Sequence, residues 1–379
     1  MGTLHAVPGC MTTTPINKGQ FHLEPPERVA AFERHRGHGH QQGYAENRRQ
    51  WNAYAKQQHV SDYPLHVDLE LASVCNLRCP MCYTVSPEFR KHVNAKLMDF
   101  ELFTRLVDEC VAGGVYSIRL SYRGESFLHP KIIEACRYAK EAGIAEVSTL
   151  TNGVKLDEEM FVELMDAGLD WLTISFDGIG EVYEKIRKPA KFDRAVEKIA
   201  NYQRIKRAAG KVKPVIKVQT VLPAIEDDPA AFYDIFAPIT DLVSANPLID
   251  FHGDISAQPR IPDFVCPQLY QRLTIGADGT AMMCANDERQ EFPVGDAYEQ
   301  TIHAMWHGDK MAEARAAHAA QRGCQSLEPC AKCYLPLATD ATPIQVGQRR
   351  VVADKYVEGA EKLVQLRVPE RYRREGLEV

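Results

Sequence analysis

The chain has 379 residues, 45% of them hydrophobic and 25% charged, with 45 lysines and arginines against 51 aspartates and glutamates for a net charge of −6. This composition excludes a mostly disordered chain, and the acidic balance excludes a protein built chiefly to bind duplex nucleic acid. No run approaches the roughly 18 apolar residues of a membrane span, and the opening residues lack a basic start followed by an apolar core, so no membrane contact and a cytoplasmic location are expected.

Residues 1–42, rich in Pro, Gly and His without an apolar period, read as a loosely ordered arm. Its His35, His38 and His40 read as a solvated run rather than a metal site. Residues 43–59 have helical composition and complete an N-terminal segment over 1–61. From residue 65, strand character appears in LHVDLELA (65–72), YSIRLSY (116–122), AEVSTLT (145–151), DWLTISF (170–176) and PVIKVQTVL (214–222), with LIDFHG (248–253) as a weaker sixth run. Helical patterns at 99–112, 130–142, 157–167, 192–209 and 229–236 separate them, and Gly114, Gly143 and Gly168 close the first three. This alternation specifies a parallel sheet with helices outside. Six units fall short of a full barrel, so an α/β fold with an open, partial (β/α)6 barrel is predicted over 62–255.

Beyond residue 255 the rhythm changes. Residues 271–284 predict a β-hairpin turning at Ala277-Asp278-Gly279, and 301–322 a helix broken near Gly308. A small hairpin-plus-helix domain is therefore expected over 256–340, followed by a charged tail over 341–379 with one surface helix.

Eleven cysteines need an explanation, and in a reducing compartment clustered thiols point to metal or catalysis rather than disulfides. Cys75, Cys79 and Cys82 follow the first strand as C-x3-C-x2-C. Cys266 and Cys284 precede the group Cys324, Cys330 and Cys333, while Cys10, Cys110 and Cys136 are scattered and read as incidental thiols. Three thiols in one loop can hold three irons of a four-iron, four-sulfur cluster and leave the fourth open, whereas structural zinc takes four ligands.

The triplet at the first strand of a partial barrel resembles the signature of radical S-adenosylmethionine (radical SAM) enzymes. Arg123-Gly124-Glu125-Ser126, after the second strand, is similar to the family's GGEP motif, with Arg123 in place of the first Gly and Ser126 in place of Pro. Thr151-Asn152-Gly153 and Ser175-Phe176-Asp177-Gly178 end the third and fourth strands. The resemblance implies Cys75, Cys79 and Cys82 as ligands of a catalytic [4Fe-4S] cluster. It implies Met81, Gly124, Glu125, Asn152, Ser175 and Arg187 around S-adenosylmethionine, with Glu125 meeting the methionyl amine and Arg187 its carboxylate. The second cysteine group resembles the SPASM/twitch extension of these enzymes. Cys266, Cys284, Cys330 and Cys333 would then hold a second [4Fe-4S] cluster, and structural zinc is the alternative for the same four thiols.

The implied activity is hydrogen-atom abstraction by a 5′-deoxyadenosyl radical, driven by a flavodoxin- or ferredoxin-type electron donor. The expected substrate is a small polar molecule such as a sugar, nucleotide sugar or aminocyclitol, oxidised by a dehydrogenase or inverted by an epimerase. Asp177 and Cys324 are the candidate catalytic residues. Cys324 replaces one of the four ligands of the second cluster, is an inert thiol or is a hydrogen donor, and these alternatives stay open. A SPASM-type peptide-modifying enzyme and a non-catalytic zinc or iron–sulfur protein are the other readings.

Overall fold

The computed structural model describes residues 21–249 and 258–356. A short strand β1 (Phe21–His22) and helices α1 (Pro26–Arg36) and α2 (Gln41–Gln57) precede β2 (His66–Leu69). After α3 (Pro87–His92), strand and helix alternate as α4 (Phe100–Ala112), β3 (Ser117–Arg119), α5 (Ile132–Ala142), β4 (Glu146–Thr151), α6 (Glu158–Asp166) and β5 (Trp171–Ser175). The series continues with α7 (Glu181–Ile186), α8 (Phe192–Ala208), β6 (Val215–Val221), α9 (Pro229–Phe236) and β7 (Leu242–Asn246). Strands β2 to β7 pair in sequence order and all in parallel, as the alternation predicts.

The helices follow from local sequence. Asp99 and Asp157 accept backbone N–H bonds at the starts of α4 and α6, and Gly143 closes α5 with φ of +115°, where a side chain would be strained. One face of each strand carries Val67, Ile118, Val147, Leu172 and Val218, all buried beneath these helices. The sixth strand lies at Leu242–Asn246, not at the expected 248–253. Its inward positions hold Ser244 and Asn246, so it lacks the apolar run that usually marks a buried parallel strand. Residues 250–253 of the expected strand lie outside the described residues.

Part of the expected arm is folded. Helix α1 starts at Pro26 and buries Phe32, and β1 pairs antiparallel with β7. Arg36, at its end, reaches Glu146 at the start of β4 in a forked pair, Nε to Oε2 at 2.7 Å and Nη2 to Oε1 at 2.8 Å. Its guanidinium also lies 4.2 Å from the Trp171 ring centroid. Trp51 of α2 packs near His66 and Arg272, so α1 and α2 together floor the barrel at the N-terminal ends of its strands. The histidines of the former arm do not converge with other metal-binding side chains among the described residues.

The predicted hairpin forms as β8 (Arg272–Ile275) and β9 (Thr280–Met282), with β10 (Pro293–Asp296) beside β9. It is not set apart from the barrel: β8 pairs in parallel with β2, extending one sheet to ten strands in the order β1-β7-β6-β5-β4-β3-β2-β8-β9-β10. The helical stretch breaks at Gly308 into α10 (Ile302–Trp306) and α11 (Asp309–Ala319), followed by the single turns α12 (Gly323–Ser326) and α13 (Glu328–Ala331). The tail begins as a hairpin, β11 (Thr339–Val346) and β12 (Arg349–Tyr356), and residues 357–379, which remain for the expected surface helix, lie outside the described residues. Its Arg349 hydrogen-bonds the Leu23 carbonyl at 2.8 Å and lies over the Tyr233 ring. No helix of the described residues is long and apolar enough to cross a membrane.

Arg36→Ala would leave the Glu146 carboxylate buried without its cation. The expected loss is about 3–5 kcal/mol of stability, read as an earlier denaturant midpoint. A midpoint unchanged from wild type would show that the floor does not depend on this pair.

Candidate functional site

The three-cysteine loop leaves the C-terminal end of β2, and the motifs after β3, β4 and β5 meet it at the same rim. Glu125 ties them together. Its backbone N–H donates to the Val74 carbonyl at 2.8 Å, and its carboxylate accepts from Thr151 Oγ1 at 2.7 Å, Asn152 N at 2.7 Å and Phe127 N at 3.2 Å. The Asn152 amide continues inward to Asn76 Oδ1 at 2.8 Å and lies 3.9 Å from Cys75 Sγ. Burial raises the pKa of Glu125 against the pull of these bonds.

Gly124 is fixed by space. A Cβ there would stand 2.3 Å from the Val74 carbonyl oxygen and 2.5 Å from that of Ala72, both rigid backbone atoms. Arg123, the departure from the family pattern, turns away from the rim and forms a buried forked pair with Glu70, at 2.8 and 2.6 Å. Sequence reasoning missed Glu70, although the alternating His66, Asp68 and Glu70 are unusual for a buried parallel strand and were a usable signal.

Arg187 and Asp177 are brought together as a buried pair, with Nε and Nη2 both reaching Oδ2 at 3.0 and 2.6 Å, while Asp177 Oδ1 accepts from Val221 N at 3.1 Å. The pair flanks the thiol loop. Burial pushes the Cys79 thiol up to about 12, against the attraction of the Arg187 charge. Cys75 is exposed, Cys82 sits 3.0 Å from Thr84 Oγ1, and Met81 is half-buried in the turn between Cys79 and Cys82. Ser175 ends β5 in register with Gln219 of β6.

In the C-terminal region Cys266, Cys284, Cys330 and Cys333 gather near β8, β9 and α13. Burial raises the pKa of each, to about 12 at Cys266 and about 11 at Cys333. Cys324 belongs to this group, within electrostatic reach of Cys266 and Cys330. His318 of α11 supports it: Cys266 N donates to Nδ1 at 3.3 Å, and Nε2 lies 3.4 Å from Cys330 Sγ. Burial lowers the His318 pKa to about 4, which keeps the ring neutral. Asn286 Nδ2 and Leu335 N point at Cys333 Sγ at 3.4 and 3.3 Å. Neither His318 nor Asn286 stood out in the sequence, because each supports thiols from a distant segment.

Among the described residues, the one set of three ligand atoms all within 4.8 Å of one another is Asp62, His303 and His307. No three of the described cysteine sulfurs lie within 4.8 Å of one another. Buried thiols of high pKa must release protons to an incoming metal.

Residues 69–223 match the family model described as the radical SAM superfamily, and residues 266–334 match SPASM, an iron–sulfur cluster-binding domain. The superfamily requires S-adenosylmethionine and a [4Fe-4S] cluster, and SPASM domains bind additional iron–sulfur clusters. The chain is 31% identical over 147 residues to a tungsten-containing aldehyde ferredoxin oxidoreductase cofactor-modifying protein of Pyrococcus furiosus, covering 34% of this chain and 39% of that protein. It is 34% identical over 119 residues to a probable GTP 3′,8-cyclase of Methanococcus maripaludis, covering 31% and 38%. These matches span under two fifths of either relative's length. The crystal structure of Streptococcus suis SuiB superposes with a TM-score of 0.50 at 14% identity, covering 77% of this chain and 78% of that one, a likeness of fold.

Gly124→Ala should force the rim loop away from the cysteine loop. The expected result is loss of about half the bound iron and of S-adenosylmethionine binding, with far-UV circular dichroism retained. Intact binding in this variant would place the cofactor elsewhere.

Proposed function

The chain belongs to the radical SAM superfamily, and from that premise we propose that it takes a hydrogen atom from a carbon of a small, polar, carbohydrate-like substrate, oxidising it as a dehydrogenase. When bound, S-adenosylmethionine supplies the hydrogen-abstracting radical, on receipt of one electron from a flavodoxin- or ferredoxin-type donor. Cys75, Cys79 and Cys82 hold the first cluster. Gly124, Glu125, Asn152 and Ser175 form the rim against which the cofactor lies, and Met81 packs beside it. Glu125 has accepted three internal hydrogen bonds and keeps lone-pair capacity toward an ammonium. The Asp177–Arg187 pair positions the β5 and β6 ends beside Cys79. Cys266, Cys284, Cys330 and Cys333 hold the auxiliary cluster.

The observation that carries the small-substrate reading is the closed floor. Residues 21–57 serve as that floor through α1 and α2 rather than as a separate peptide-binding module. A molecule entering at the rim meets a polar interior closed at its base by α1 and α2. Dehydrogenation is favoured over epimerisation by the company Cys324 keeps. It stands with the auxiliary thiols, next to Arg260, whereas a hydrogen donor must face the substrate.

Anaerobically reconstituted protein should hold about eight irons, as two four-iron clusters, and form 5′-deoxyadenosine with reductant. In heavy water with candidate sugars, an oxidised product free of deuterium is expected. Deuterium in an unoxidised product would establish epimerisation, turnover of a peptide alone would establish the peptide-modifying alternative, and zinc without iron would defeat the proposal. Cys324→Ala should leave both the iron content and the ratio of products unchanged; a loss of iron would make Cys324 a ligand, and a shift in products at full iron would restore the donor role.

A further inference from the structure

The barrel strands face two ways. Ile118, Leu172 and Val218 lie wholly buried under the helices, so their neighbours Arg119, Thr173 and Lys217 face the lumen. The Arg119 side chain is 31% exposed although helices cover the other face of its strand, so the lumen is open at this level.

Its charges do not balance in pairs. Asp68, wholly buried, lies 2.8 Å from Arg119 Nη2 and 3.4 Å from Arg272 Nη1, and also meets His66 and Thr274. One carboxylate therefore serves two guanidiniums. Lys217 is 2% exposed, and its acceptor among the described residues is an amide oxygen, Gln219 Oε1 at 2.8 Å. Burial, with Arg36 and Arg119 nearby, lowers its pKa to about 7. Glu33 of α1 acts in the opposite direction through space, and His22 of β1 also feels the Lys217 charge. A buried lysine without a carboxylate partner is held as an ammonium only when an opposite charge joins it. Gln219 links Lys217 to the rim, because its strand partner is Ser175.

We propose that the substrate carries an anionic group, phosphoryl or carboxylate, that descends from the rim and is held in the lumen between Arg119 and Lys217. This rests on the radical SAM reading for the rim as the reacting end. The guanidinium offers forked donors to either oxyanion and the ammonium a point charge, while Asp68 keeps Arg119 aimed inward. A neutral or cationic sugar would leave the excess positive charge unmet.

Calorimetric titration of the full-length, iron-loaded, S-adenosylmethionine-saturated protein with four sugars tests the proposal. Glucose 1-phosphate or glucuronate should bind about tenfold or more tightly than methyl glucoside or glucosamine, and the tighter of the two anions identifies the group. Lys217→Met and Arg119→Gln should each weaken that anion about tenfold or more, with iron content and S-adenosylmethionine affinity unchanged. If Lys217→Met fails to retain iron, Arg119→Gln at its half-exposed side chain decides. The cleft of about 180 Å³ lined by Asn152, Lys191, Arg194 and Lys198 is the competing location, and Arg194→Gln should leave anion binding intact. Equal binding of neutral sugar, no anion binding below about 10 mM, or a loss confined to Arg194→Gln would each overturn the proposal. Conversion of an uncharged sugar to product as fast as the anionic ones would overturn it too while leaving the radical SAM reading intact, and that reading fails separately if no 5′-deoxyadenosine forms with or without substrate.

Discussion

Glu70 and Arg123 meet with both side chains wholly out of water, and three stretches of chain are held by what they share. Burial works against the arginine charge, and the hydrogen bonds and charge of Glu70 outweigh it, so its pKa rises. Such a pair is tolerable only when its remaining donors and acceptors are used. Here they are: Glu70 also accepts from the backbone of Arg123 and Ala277, each at 3.0 Å, and Arg123 Nη1 donates to the Glu288 carbonyl at 3.2 Å. The end of β2, the loop after β3 and the hairpin turn are thereby fixed to one point. Gly124 and Glu125 follow directly, so the close approach to Val74 and the carboxylate's reach to β4 both inherit their position from this pair.

That arrangement explains why an arginine stands where the family pattern has glycine. The side chain lies away from the cofactor rim and links the barrel to the C-terminal region. The wall between the two thiol groups is correspondingly dense. Tyr83 and Tyr122 lie half-buried there beside Glu288, whose carboxyl burial pushes up to about 8, and each feels its charge.

Much of this was legible from the sequence because the signals were local. C-x3-C-x2-C, the glycine in Arg123-Gly124-Glu125, the hairpin turn and the helix break at Gly308 each declare themselves within a few residues. The features that escaped are long-range. Strand β7 escapes a search for apolar runs because its lumen positions are polar, and α1 escapes it because a short apolar patch around Phe32 and the reach of Arg36 to Glu146 hold it in place of a long apolar stripe. The Asp177–Arg187 pairing, His318 beside Cys330 and the lone Lys217 depend on chain crossings that no spacing rule encodes. The polar alternation of β2 did announce a polar barrel interior, but only the parallel pairing on both sides of that strand gives it meaning.

The parallel pairing of β8 with β2 has an evolutionary consequence. A domain joined by a linker can be exchanged or lost as a unit, leaving its neighbour whole. Here, removing residues 256–340 would strip the first barrel strand of a hydrogen-bonded neighbour from His66 to Leu69 and strand the Glu70 carboxylate without Ala277. An exposed strand edge beside a buried ion pair that has lost one of its hydrogen bonds invites association with other chains. The barrel and its auxiliary region are therefore expected to be inherited, and to unfold, as a single cooperative body rather than as interchangeable modules.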